Sequence, residues 1–143
     1  MRGYFVITLL LFFSGCGFQN RFVLIDKNIQ EHKNRSLINR YIHYWNCMSQ
    51  KDFKCTYQYE MPHQRFLHDF TWYKEFNRGN RKNYKIKVLE IVPKRENVTY
   101  IKSKFISADN QISYIFWDRW YKVNGKWYHK MKVSLLPLGE NED

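Results

Sequence analysis

The chain has 143 residues, carries 24 Lys and Arg against 13 Asp and Glu for a formal charge of +11, and is 19% aromatic. That length suits one domain around one modest core, not a multidomain assembly. A field of this sign favours anionic partners such as lipid head groups, polysaccharide phosphates or nucleic acid.

The first segment, "MRGYFVITLLLFFSGCGFQN", has one early cation, Arg2, then an apolar run from Tyr4 to Phe13, then Ser14, Gly15 and Cys16. About ten apolar residues are too few for a spanning helix, which needs about 20. The run, its flanking charge and the small residues fit the core of a secretory signal. Residues 17–30 read as a tether, although "RFVLI" at 21–25 is apolar enough to dock.

Ile38, Tyr41, Ile42, Trp45 and Met48 fall on one helical face. Ser36 or the earlier Asn28 is the expected cap. His43 falls on the opposite, polar face and is expected to be solvated. Asp52 can cap a second short helix carrying Phe53, Thr56 and Tyr57, which Pro62 would end. A third helix is expected from Gln64 to Phe76, with Phe66, Leu67, Phe70 and Tyr73 buried and Gly79 stopping it.

Beyond Gly79 the apolar period changes from 3.6 to 2. Strands are expected at 84–92, with a bulge at "VLEIV", and at 97–107, 112–123 and 126–136. Short polar connections make them a meander. The expected fold is α+β, with N-terminal helices packed on a curved, four-stranded antiparallel sheet.

Asn124-Gly125 is a strong type I′ turn signal, and it sets the register of "WDRWYKVNGKWYHK". Trp120 then faces His129, and Asp118 faces Met131. One face carries Phe116, Asp118, Trp120, Lys122, Trp127, His129 and Met131. The other carries Trp117, Arg119, Tyr121, Tyr128, Lys130 and Lys132, and reads as the outside. Asp118 and His129 meet on a diagonal inside, as an acid–base dyad or as a buried polar pair that fixes the sheet. Trp45, Phe116, Trp120, Trp127 and Met131 are the expected lining of the pocket around them.

The outer face alternates aromatic and basic residues as single-strand platforms do, but nucleic acid is not an expected partner of an exported chain. Arg78, Arg81, Lys82, Lys85 and Lys87 form a second basic cluster, a candidate surface for anionic lipid. The sequence has no Gly-rich phosphate loop, no close metal-ligand spacing beyond the weak pair His63 and His68, and no Ser nucleophile elbow. No cofactor and no metal are expected.

Two resemblances add to this reading. "FSGC" at 13–16 resembles the lipobox of bacterial lipoproteins, with Phe13 in place of the usual Leu. The resemblance implies residues 1–15 as a signal peptide and an acylated Cys16 opening a tether, 16–32. It also implies a bacterial envelope location. Gly17, where the family's inner-membrane retention signal has Asp, leans toward the outer membrane facing the periplasm. Cys47 and Cys55 then remain as an even pair in an oxidising compartment. On one unbroken helix they would stand about 12 Å apart. They either bridge across a break at "SQKD" (49–52) or stay as two buried thiols.

The second resemblance rests on "YIHYWNCMSQKDF" and the hairpin "WYKVNGKWYHK", and covers 33–136 ahead of a loose tail, 137–143. It is to the NTF2-like superfamily, SnoaL-type proteins included. It implies a cone with a pocket between sheet and helices, and no particular activity. The expected function is a membrane-anchored, non-catalytic binding or scaffold module for an apolar or anionic ligand or an envelope partner. The alternatives are a SnoaL-like enzyme using Asp118 and His129, and a component of secretion or conjugation machinery.

Overall fold

The computed structural model describes residues 22–25 and 34–133. The signal segment, Cys16, the alternative cap Asn28 and residues 134–143 lie outside the described residues.

The first described element is a two-residue strand, β1 (Val23–Leu24). Helix α1 (Arg35–Ser49) follows, and its cap is Asn34, whose side chain accepts from the Leu37 amide. Ser36 sits inside the first turn and donates to Asn34 Oδ1 at 3.0 Å, so it supports the cap instead of being it. The face buried by α1 comprises Leu37, Ile38, Tyr41, Tyr44 and Met48. Trp45 and Ile42 pack only partly, because Leu37 and Tyr44 turn the stripe toward themselves. Lys51, at φ 60°, breaks the helix, and Asp52 caps α2 (Phe53–Tyr57) by accepting from the Cys55 amide. The corner brings the Cα atoms of Cys47 and Cys55 to 6.0 Å, and a disulfide joins them.

Pro62 opens α3 (Pro62–Leu67) at its first turn, where proline's missing N–H costs nothing. The expected single helix from 64 to 76 is divided. Asp69 caps a new helix, α4 (Phe70–Asn77), by accepting from the Trp72 amide. That restart rotates the buried face. Tyr73 is buried, but Phe66 is 89% exposed and Leu67 62% exposed.

Strands β2 (Lys85–Arg95), β3 (Val98–Ile106), β4 (Ser113–Val123) and β5 (Lys126–His129) form the antiparallel meander. β2 has register shifts at Val88/Glu90 and Pro93/Arg95. Asn124 and Gly125 have φ of 49° and 77°, the positive pair that a type I′ turn needs. The observed pairing is Val123 with Lys126 and Trp120 with His129.

The sheet differs from the expected one in two ways. It has five strands and is mixed, because β1 pairs parallel to β2 through Val23 and Ile86. Within the described residues β5 ends at His129, four residues into the expected 126–136, so Asp118 and Met131 are not ladder partners.

The core lies between the inner sheet face and α1. Tyr41, Tyr44, Tyr73, Ile86, Ile101, Trp120 and Trp127 are fully or nearly fully buried there. Its tyrosines find polar partners, as at Tyr41 and Ser103, whose oxygens are 2.6 Å apart. Among the described residues no helix is long and apolar enough to cross a membrane.

Candidate functional site

Between α1, α4 and the inner face of the sheet opens a cavity of about 460 Å³. Trp45, Phe116, Asp118, His129 and Met131 line it together with Tyr44, Glu60, Tyr73, Tyr84 and Phe105. Trp120 and Trp127 do not line it. Trp120 is packed behind the wall, with ring centroids 6.0 Å from Tyr41 and 5.7 Å from Tyr44. Trp127 turns toward the start of α1, where its indole N–H donates to Asn34 Oδ1 at 3.2 Å.

The floor is a chain of charge that the sequence reading recovered only in part. Glu60 was missed. It lies at the end of the turn that links α2 to α3, and this link is locked to β5 by two backbone bonds. His129 N–H donates to Tyr59 O at 2.8 Å, and Met61 N–H donates to His129 O at 3.0 Å. The Glu60 side chain is fully buried. One oxygen accepts from Tyr44 Oη at 3.0 Å and Tyr73 Oη at 2.9 Å, and the other lies 2.8 Å from His129 Nδ1. On the far side of the imidazole, Nε2 stands 3.4 Å from Asp118 Oδ1. Asp118 Oδ2 accepts from the Trp45 indole at 2.8 Å.

A buried carboxylate is costly unless it is paired and hydrogen-bonded, and these donors meet that requirement. Burial is the largest influence on His129 and opposes its protonation. The attraction of Glu60 and the bond to Asp118 together outweigh it and raise its pKa to about 10. At neutral pH the ring is therefore an imidazolium that donates from both nitrogens. Burial, then the nearby Glu60 charge, pushes the Tyr44 and Tyr73 hydroxyls well above the ordinary tyrosine range. They stay protonated and remain donors.

This arrangement bears on whether His129 can act as a base. A general base needs a free lone pair near neutral pH. His129 has none, and the two carboxylates already hold its protons. The floor is a preorganised polar surface below aromatic walls.

The mouth has the opposite character. Arg81 and Lys132 line the cavity and are exposed, beside Asn80 and Phe76. Of the expected basic cluster, only Arg81 reaches this opening. Arg78 pairs with Glu75 at 3.2 Å. Lys82 is exposed in the connection, and Lys85 and Lys87 alternate with buried Ile86 and Val88 on β2, pointing away from the cavity. All five residues of the cluster are exposed. On the outer sheet face, Lys102 lies 5.4 Å from the Trp117 ring, Arg119 5.4 Å from Tyr100 and Lys130 6.0 Å from Tyr121. Lysine and arginine stems lie over aromatic rings there.

His43 is exposed. Its Nδ1 is 2.6 Å from Tyr59 Oη and 3.8 and 3.7 Å from the sulfurs of Cys47 and Cys55. These three could hold a metal only as thiolates and imidazole, and the disulfide removes both thiolates.

The chain matches no protein-family model and no curated protein. Among solved structures it is similar to a SEC-C motif containing protein from Psychrobacter arcticus, with 11% identity and a TM-score of 0.53. That match covers 73% of this chain and 63% of the other, so the chain spans less than two thirds of that protein. It is also similar to an NTF2-like candidate transpeptidase from Campylobacter jejuni, with 14% identity, a TM-score of 0.50, and 69% and 99% of the two chains covered. A ketosteroid isomerase-like protein from Erwinia carotovora atroseptica SCRI1043 matches at 9% identity and a TM-score of 0.47, over 70% and 93% of the two chains, and adds nothing to the argument. At such identities the likeness is one of fold. The curled sheet and its helices form an NTF2-like cone.

Proposed function

We propose that this domain is a non-catalytic binding module for an amphiphile, with the apolar body inside the cone and an anionic end at its mouth. The observation that carries the reading is the cavity's polarity. Aromatic walls surround a floor whose polar groups are already bonded to one another, and among the described lining residues the exposed cations Arg81 and Lys132 stand at the rim. An anionic group placed deep would meet Glu60 and Asp118, whereas at the rim it meets Arg81 and Lys132. A cavity of about 460 Å³ falls within the range used for small ligands. The acid–base alternative requires His129 to exchange its proton near neutral pH, whereas its two carboxylate neighbours favour the protonated ring.

The test compares three ten-carbon chains, decanoate, decanol and decylamine, by calorimetry with the full chain. The expected order is carboxylate over alcohol over amine, with the carboxylate preference lost in Arg81→Glu. Failure of all three to bind, or preference for the amine, overturns the reading.

The module is further proposed to be held in a bacterial envelope, most simply the outer membrane, by lipid on Cys16. The lipobox resemblance supports this. Labelled palmitate should enter the wild-type chain in a bacterial host and not Cys16→Ser. Equal labelling of both removes the anchor.

A second reading, a secretion or conjugation component working through protein contacts, is favoured by one observation. Phe66, Leu67 and Phe76 are 89%, 62% and 52% exposed on the short helices α3 and α4. Phe66→Asp should then abolish the function of the assembly while leaving decanoate binding intact.

A further inference from the structure

Directly behind the Glu60–His129 bridge lies a second concavity. On β5 alternate residues point to opposite sides, so Tyr128 faces away from the cone that His129 lines. Tyr59, in the turn before Glu60, lies on the same outer side. Together with Arg40, Gln58, Arg65 and Lys126 they line a groove of about 330 Å³, which among the described residues shares no lining residue with the main cavity.

The groove gathers three cations and no carboxylate among its described lining residues. Arg40 is half-buried and held in place. Its Nε donates to Trp127 O at 2.5 Å, and its guanidinium lies 4.3 Å from the Tyr59 ring centroid and 5.5 Å from that of Tyr128. Tyr59 is itself fixed through its hydroxyl to His43. Only one edge of the guanidinium is used, so its terminal nitrogens have no acceptor among the described residues. Arg65 enters from α3, and its Nε is buried without a hydrogen-bond partner. Burial lowers the pKa of Arg40, against the weaker opposing influence of the two tyrosines. That is the direction expected of a charge partly withdrawn from water.

A half-buried guanidinium with no counter-charge among the described residues is electrostatically unfavourable unless something anionic completes it. Planar guanidinium edges match tetrahedral oxyanions through paired N–H donors. The geometry points to an oxyanion-binding site, with Arg40 as its fixed floor and Arg65 and Lys126 closing on it. The ligand class is a phosphate or sulfate group, either free or carried on a larger molecule such as a phospholipid. Six residues from α1, the α2–α3 link, α3 and β5 converge there, so the site exists only in the folded domain.

The experiment titrates inorganic phosphate and sulfate against the full chain at constant ionic strength, with chloride as reference. Binding is read from amide and arginine side-chain chemical shifts. Saturable shifts at Arg40, Arg65 and Lys126 are expected for both anions and not for chloride. Because Arg40 also bonds Trp127 O, the decisive variants are Arg65→Gln and Lys126→Gln, whose folding is checked by unchanged shifts in the cone. Each should weaken phosphate binding about tenfold. A parallel arm uses vesicles of phosphatidylglycerol or of phosphatidylcholine. Competition between phosphate and phosphatidylglycerol vesicles identifies a lipid head group as a source, and phosphate binding without vesicle binding identifies a free or soluble phosphate. Absence of saturable phosphate and sulfate shifts, or binding untouched by both variants, overturns the site. Decanoate binding reports on the cone and does not enter this outcome.

Discussion

The two sides of β5 solve the problem of buried charge in opposite ways. On the inner side, His129 is enclosed by Glu60 and Asp118, and every charge has a partner within 3.4 Å. On the outer side, one residue earlier, Tyr128 flanks Arg40, which has aromatic faces and a backbone carbonyl but no counter-charge among the described residues. The inner set is internally paired. The outer set has no carboxylate among its described lining residues.

That contrast has measurable consequences, the largest on the inner side. His129→Ala leaves Glu60 and Asp118 buried without their cation and should cost about 3–5 kcal/mol in denaturant unfolding. A loss below about 1 kcal/mol would show the bridge to be unimportant to the fold. The same bridge sets a pH dependence. The folded pKa of His129 is raised to about 10 from an ordinary 6.5. Its stabilisation is thus complete below about pH 6.5 and lost as pH rises toward about 10. Melting temperatures should fall across that window in the wild type and run flat in Glu60→Gln/His129→Gln.

Next in size is the disulfide, which closes a separation of 8 residues beneath His43 and Tyr59. On chain entropy alone, Cys47→Ser/Cys55→Ser should cost about 2–3 kcal/mol, measured as the change in unfolding midpoint. Tyr44→Phe removes one of two phenolic donors to Glu60 and should cost about 1–2 kcal/mol. At the small end, Lys126→Gln should change stability by no more than about 0.5 kcal/mol, because no carboxylate faces it among the described residues. A loss comparable to that of Tyr44→Phe would mean that the outer cations are paired after all, and the contrast would dissolve.

How much of this was legible follows the same division. Asn124-Gly125 specifies a turn, a turn specifies a register, and register places Asp118 and His129 on the inner face. Each step is local and strict. Glu60 is the opposite case. It owes its place to pairing with His129 across 69 positions, and no periodicity marks one residue at the end of a turn. The available signal was weak: an acid between Tyr59 and Met61, just before a proline that biases the chain toward extended backbone. The third helix failed for a different reason. Phe66, Leu67, Phe70 and Tyr73 satisfy a helical period across His68, but Asp69 prefers to cap, and a new cap resets the face. β1 escaped because two residues have no period at all, and their parallel pairing joins Val23 to Ile86, far along the chain.

That short strand also acts as a fixed point for whatever precedes it. Phe22 O accepts from Ile86 N at 2.7 Å, so the chain is already part of the sheet at Phe22. Only six peptide steps separate Phe22 from Cys16. Fully extended, they reach about 20 Å. An acyl group on Cys16 would therefore leash the domain by its β1 edge, closer to the bilayer than its own diameter. The mouth of the cone would then be held near the membrane surface, within reach of ligands exchanging with it.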